Sequence, residues 1–207
     1  MESVEAKFKA AMIAAAGAVV QAKDLLTRAD QAIGDGDHGI GMARGFRAFS
    51  EAIEKIDEPD VVACFTAGGR ALMMTSGGAS GAIFGTFFTA AGKGLPAGIR
   101  PSTPALAAGF AAGLQAVKDR GKAKAGDKTM IDAAEPATAA LVAAGDLPLG
   151  EALAAAAAAA RAGAEATRGM VATTGKAKAL GARSLGHPDP GALTFTIYCE
   201  RLASVMA

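Results

Sequence analysis

The sequence predicts an all-α fold of about eight helices, and three observations carry that expectation. Alanine dominates the chain and glycine occurs 27 times, a mix that suits close-packed helices punctuated by glycine loops rather than β-branched strands. Strand signals are almost absent. Helix start and stop signals are plentiful.

The elements read off in order. One long helix is expected from near Val4 to Asp30, followed by a glycine-rich loop and a second helix from about Gly39 to Lys55. Asp57, Glu58 and Pro59 open a third, because proline and acidic residues both suit a first helical turn; it ends near Ser76. A fourth spans Ser80 to Gly92. Ser102-Thr103-Pro104 supplies a cap and a first-turn proline for a fifth, which stops at Arg120-Gly121. Lys122 to Lys128 is a charged loop. A sixth helix covers Thr129 to Ala144, with Pro136 expected to kink it. A seventh, nearly pure in alanine, covers Leu149 to about Met170, and the run Ala154 to Ala160 lets neighbours approach closely. Thr173 to Asp189 is a long loop of the kind that more often carries function than not. The last helix runs from Pro190 to Met206. No linker composition divides the chain, so residues 1–207 are read as one domain.

Composition narrows the function classes. Acidic and basic residues number 20 and 21, leaving a formal charge of +1, whereas a sequence-independent nucleic-acid binder needs a clear basic excess. With no Trp and one Tyr, little is available to stack on bases. Cys64 and Cys199 lie in apolar stretches and read as buried free thiols in a reducing cytoplasm. Lys7 and Lys9 precede an apolar run, Ala10 to Val20, but Glu2 and Glu5 spoil a signal-peptide start. Ala71 to Gly92 carries no charge over 22 residues. Its Thr75-Ser76-Gly77-Gly78-Ala79-Ser80-Gly81 centre fits two helices meeting at a glycine loop better than a membrane span.

The chemistry concentrates in Asp30 to Met42. Asp30 stands at a helix end, and Asp35 and Asp37 are two apart in an extended loop, so they can face the same way. Three like charges so close repel unless a cation sits among them, and a hard divalent ion with oxygen ligands is the natural one. Gly36, Gly39 and Gly41 keep the backbone tight and open the next helix, whose free N–H groups form a phosphate seat. A solvated acidic turn is the bland alternative. An EF-hand fails, since Ile40 and Phe46 stand where Gly and Glu are required. Gly34-x-Gly36-x-x-Gly39 matches the dinucleotide fingerprint only in letters, because no strand precedes it. No Walker-type motif exists.

Three further segments add to this one. Gly77-Gly78-Ala79-Ser80-Gly81 is a second glycine loop at a helix start, with a hydroxyl available to a phosphate oxygen. Gly126-Asp127-Lys128-Thr129-Met130 caps another helix. Gly186-His187-Pro188-Asp189-Pro190-Gly191 is a turn stiffened by two prolines.

Together the four segments resemble the nucleotide-binding L subunit (DhaL, Dak2 domain) of dihydroxyacetone kinases. The matching text is D-x-x-x-G-D-G-D-H-G-x-x-M-x-R-G-F at 30–46, G-G-A-S-G-x-x-F-G-T-F-F at 77–88, R-G-K-A-x-x-G-D-K-T-M at 120–130 and L-G-x-R-S-x-G-H-x-D-P-G-A at 180–192. The resemblance implies an eight-helix antiparallel barrel with a nucleotide, ADP or ATP, held at one end through Mg2+, expected as two ions. Position by position, Asp30, Asp35 and Asp37 would hold the metal. His38, Gly39, Ile40, Gly41, Ala79 and Ser80 would contact phosphates. Gly121, Met130, Asp189, Pro190 and Gly191 would line the base and ribose side. Lys176 stands where the family usually has Arg, keeping the charge without the planar fork, and Gly41 replaces a common Asn.

The resemblance also implies a partner. The family holds its hydroxyketone substrate on a separate K subunit or domain, which this sequence lacks. The chain would present a phosphoryl group for in-line transfer, with catalysis by positioning and by charge neutralisation from metal and Lys176. His38 is the other candidate catalytic residue, as a phosphate hydrogen-bond donor or a support for one. The phosphoryl donor would be a phosphohistidine protein (the M subunit). ATP-using triose and tetrulose kinases, and an ADP-loaded module binding a transcription regulator, are the alternatives. No direct nucleic-acid or membrane contact is expected, and the location is cytoplasmic.

Overall fold

The structure, a computed structural model, describes residues 3–207; Met1 and Glu2 lie outside the described residues. Among the described residues it is all helical, with no strand. The α-helices are α1 (Val4–Gln21), α2 (Lys23–Ile33), α3 (His38–Glu54), α4 (Val61–Thr75), α5 (Gly78–Lys93), α6 (Thr103–Gly121), α7 (Ile131–Ala144), α8 (Leu149–Ala166) and α9 (Pro190–Met206). A 3₁₀ turn, Thr167–Gly169, and a longer 3₁₀ segment, Lys176–Ser184, fill most of the stretch between α8 and α9.

Eight of these helices close a ring. Each of α3 to α8 packs on its successor, and α1 closes the circle by packing on both α9 and α3. The expected barrel is therefore present, but the expected first helix is two. The chain breaks at Ala22, and α2 leaves α1 at 56°. Neither Gly nor Pro marks that break. What distinguishes the halves is burial. Six α1 residues are buried, whereas α2 buries only Leu26, Asp30 and Ile33. The bend lays α2 across the end of the ring against α3 and α9 and carries Asp30 to that end.

Aromatic side chains fill the middle of the ring. All nine Phe and the single Tyr198 are buried, and Phe46, Phe49, Phe88 and Tyr198 meet edge-on or tilted at centroid distances of 4.8 to 6.1 Å. Such offsets suit the ring quadrupole better than face-to-face stacking. Glycine sets how near the surrounding helices come. A Cβ at Gly69 would lie 2.6 Å from the Thr89 backbone nitrogen, and one at Gly85 would lie 2.7 Å from the Gly69 carbonyl, so α4 and α5 meet backbone to backbone.

Most helix boundaries follow the local signals. Ser102 caps α6 by accepting the Ala105 N–H, with Pro104 in the first turn, and Asp189 caps α9 by accepting the Ala192 N–H ahead of Pro190. The cap of α4 is Asp60 rather than Asp57 or Glu58. α7 runs through Pro136 without interruption. Ala71 to Gly92 is two helices joined at Gly77 (φ +72), as its glycines required. No single helix among the described residues is long and apolar enough to cross a membrane; only the bent pair α1 and α2 reaches that length and composition together. Ala10 to Val20 lies inside α1, which the ring encloses between α3 and α9.

Candidate functional site

Alternation around the ring decides where the site can be. The first residues of α3, α5, α7 and α9 all line one cavity of about 550 Å³, together with the last residues of α2 and α6 and with Ser76 just after α4. Four helix N-termini thus point their positive dipole ends into one space.

At its mouth stand the three carboxylates. Asp30, Asp35 and Asp37 each offer an oxygen within 4.8 Å of the other two; Asp30 is buried and the others are exposed. Glycines shape this cradle. A Cβ at Gly34 would strike the Asp30 carboxylate, and Gly36 turns the chain at φ +82. Asp30 also accepts the His38 N–H at 3.1 Å, which fixes the start of α3 to the end of α2. Asp37 precedes α3 without capping it. Its carboxylate instead meets the Lys176 ammonium at 3.0 Å, and Asp35 meets the same ammonium more closely. That contact holds the Asp35 carboxyl below the usual range and pushes Lys176 up to about 12.

Behind the carboxylates, the buried His38 ring is held at both nitrogens. Nδ1 lies 3.0 Å from Ser80 Oγ and Nε2 lies 2.8 Å from Thr194 Oγ1. Burial lowers its pKa to about 4, so the imidazole is neutral. The Gly77–Ser80 loop is set by Arg44, whose guanidinium donates at 2.6 Å to both the Thr75 and Ser76 carbonyls at the end of α4. A cation there also complements the helix dipole.

The opposite wall comes from the 122–130 loop, where Lys122 and Lys128 adopt positive φ. Asp132 folds this loop onto α7 by accepting the Gly126 and Thr129 N–H groups at 2.6 and 2.7 Å. Lys128 is buried and donates to the Thr167 and His187 carbonyls, both at 2.6 Å, clamping three segments together. Apolar surface in the cavity is supplied by Ile83, Phe84, Val117, Met130 and Ile131. Asp189 sits beside Gly191 on this side, and enclosure by protein, opposed by the Ala192 N–H, pushes its carboxyl up to about 7.

Nearly every sequence-predicted site residue reaches this cavity. Asp30, Asp37, His38, Ile40, Gly41, Ala79, Ser80, Gly121, Met130, Lys176, Asp189, Pro190 and Gly191 line it. Asp35 stands outside the lining but within the carboxylate cluster. Gly39 does not line the cavity. It is buried against α2, where a Cβ would strike the Lys23 carbonyl and Thr27, so its missing side chain serves helix packing. Gly41 faces the Ser76 carbonyl, which a Cβ would meet at 3.0 Å. Lys128, Arg44 and Thr194 were not singled out by sequence reasoning. Arg44 and Lys128 fall inside the matched motifs, whereas Thr194 looks like any polar residue in a helix.

The chain is similar to known proteins. The DAK2 domain family matches residues 32–204. The chain is 39% identical over 174 residues to the ADP-binding subunit DhaL of PEP-dependent dihydroxyacetone kinase 1 of Listeria innocua, covering 84% of this chain and 83% of that one. It is 38% identical over 182 residues to the corresponding Escherichia coli subunit, covering 87% of each. The crystal structure of the dihydroxyacetone kinase from C. freundii in complex with AMP-PNP and Mg2+ superposes with a TM-score of 0.72 at 31% identity, covering 95% of this chain and 33% of the longer kinase chain. The family match runs from the end of α2 through α9, and the chain belongs to the DAK2 domain family.

Proposed function

We propose that this chain is the ADP- and Mg2+-binding subunit of a dihydroxyacetone kinase, a phosphotransferase with an alcohol acceptor. One observation carries the reading: three carboxylates cluster at the mouth of a cavity into which four helix N-termini open. A cluster of acids repels a nucleotide by itself, and a ring of helix N-termini attracts one; the two belong together only where a cation stands between them. The donor set fits the ion, since Asp30, Asp35 and Asp37 offer hard oxygen ligands of the kind Mg2+ takes. The names of the most similar relatives, ADP-binding subunits matched along more than four fifths of their lengths, support the same reading.

Asp30, Asp35 and Asp37 would hold the metal, expected as two ions. A Mg2+ held there would supply charge neutralisation to the phosphates. The chain's own groups do the rest. Backbone N–H groups at the starts of α3 and α5, from Gly39, Ile40, Ala79 and Ser80, would orient the phosphates, beside His38 and Gly41, whose own N–H groups bond the Asp30 carboxylate and the Asp37 carbonyl. Gly121, Met130, Asp189, Pro190 and Gly191 shape the base and ribose end. Lys176 supplies positive charge at the mouth, where the transferred group leaves. No general base is needed within this chain. His38 has both ring nitrogens engaged and acts through its neighbours rather than carrying a phosphoryl group.

The hydroxyketone is held on a partner K subunit, and the bound nucleotide is recharged by a phosphohistidine donor protein in the reducing cytoplasm that two free thiols suit. Reconstitution tests this. With a K subunit, dihydroxyacetone and a phosphohistidine donor, the chain is expected to support product formation with only catalytic ADP. Turnover with ATP and none with the phosphohistidine donor would reassign the donor. No turnover with either would refute the kinase reading.

A further inference from the structure

Behind the start of α5, three side chains form a hydrogen-bonded file from the cavity wall to a backbone carbonyl. Ser80 Oγ lies 3.0 Å from His38 Nδ1, His38 Nε2 lies 2.8 Å from Thr194 Oγ1, and Thr194 Oγ1 lies 2.9 Å from the Pro190 carbonyl. Ser80 and His38 line the cavity. Thr194 is wholly buried and does not line it.

The protons along this file can be assigned from its far end. A carbonyl oxygen only accepts, so the single Thr194 hydroxyl proton goes to Pro190. Thr194 Oγ1 is then an acceptor toward His38, and Nε2 must carry the ring proton. A neutral imidazole has one N–H, so Nδ1 is bare and accepts from its only partner, the Ser80 hydroxyl. The Ser80 proton is thereby turned inward and its lone pairs face the cavity.

We propose that Thr194 is a positioning residue: it fixes His38 in the Nε2–H tautomer and so makes Ser80 Oγ an acceptor toward the bound ligand. A hydroxyl presented this way repels a phosphate oxygen and attracts a cation or a ligand donor. The serine expected from sequence to donate to phosphate therefore contributes its backbone N–H to the anion and its side-chain oxygen to a positive partner. The proposal rests on the reading of the cavity as a metal–nucleotide site, but its first test does not require a ligand.

That test is a long-range ¹H–¹⁵N correlation spectrum of the ligand-free protein near neutral pH. The chain has two histidines, and His187→Gln identifies the His38 signals. A single Nε2–H tautomer is expected. An Nδ1–H tautomer, an averaged pair or a doubly protonated ring overturns the proposal, whatever the protein binds. The second test compares Thr194→Val, which keeps the shape and removes the acceptor, with Thr194→Ser, which keeps both hydrogen bonds. Thr194→Val is expected to lose the Nε2–H tautomer and to weaken Mg2+-dependent ADP binding by about tenfold, the usual effect of losing a group that orients a ligating side chain. Thr194→Ser is expected to retain both. Wild-type affinity together with a wild-type spectrum in Thr194→Val would overturn the proposal. Should Thr194→Val not fold, the wild-type spectrum alone decides. Absence of ADP binding by the wild type would refute the nucleotide reading and leave the tautomer result standing.

Discussion

Three aspartates gathered at the end of α2 and in the loop after it would be an electrostatic liability without a counter-charge, and in this structure Lys176 supplies one across 141 positions of sequence. The pairing of Lys176 with Asp35 and Asp37 is exposed, so it adds little to folding stability. Its importance is local, at the place where a cation would stand. Asp35→Ala is expected to abolish Mg2+-dependent ADP binding, read by calorimetric titration, while circular dichroism stays unchanged; retained affinity would remove Asp35 from the metal site. His38 makes a second residue-scale prediction. Its folded pKa, about 4, lies below its ordinary value of 6.5. The folded state therefore binds fewer protons than the unfolded chain between those values, and stability is lost as pH falls through that window. In metal-free protein, the advantage of wild type over His38→Gln is expected to be constant above pH 6.5 and to shrink as pH falls toward 4, by on the order of 3 kcal/mol in all. Paired denaturant melts check it. The acidic trio and His38 were legible from sequence, because spacing within one loop limits where side chains can go. Thr194 was not, because its meaning lies in a contact with a residue 156 positions away.

At the scale of elements, local signals worked where a helix end is set by its own residues. α9 begins and ends where Pro190 and the last apolar residues place it, and α6 begins at its serine cap. They failed at Ala22. Alanine is the best helix former, so nothing local argues for a break there; the bend comes from α2 packing across the ring's end. Gly39 has a packing role hidden from the sequence for a related reason. A glycine at a helix start fits both a phosphate seat and a close helix neighbour, and only the position of α2 separates them. Pro136 and Gly163 act as a pair. Proline has no N–H to offer the Asp132 carbonyl four residues back, and Gly163 of α8 lies so near that carbonyl that a Cβ would collide with it. Gly163→Ala is therefore expected to destabilise the protein by about 1–3 kcal/mol despite alanine's better helix propensity. An increase in melting temperature would show that α7 and α8 are not held this closely.

The whole molecule explains why the site is at one end. An up-and-down ring of eight helices sends alternate N-termini to the same side, so four of them converge without any motif announcing it. The ring could be counted in the sequence, but its closure by α1 between α9 and α3 could not, since that contact joins the two ends of the chain. Closure also encloses both cysteines. Cys64 and Cys199 are buried, and loss of solvation raises both thiols, Cys64 to about 11. A thiol reagent is expected to find no reactive group in the native protein and two after denaturation; rapid reaction of either in the native state would mean that the ring opens locally. The claim on which the functional reading depends is that Asp30, Asp35 and Asp37 together bind a divalent cation that engages a diphosphate. Anomalous diffraction from crystals grown with Mn2+ and ADP measures this directly. An anomalous peak among the three carboxylates, adjoining the diphosphate, is the expected result. Carboxylates still paired with Lys176 alone, with nucleotide absent from the cavity or bound away from them, would contradict it.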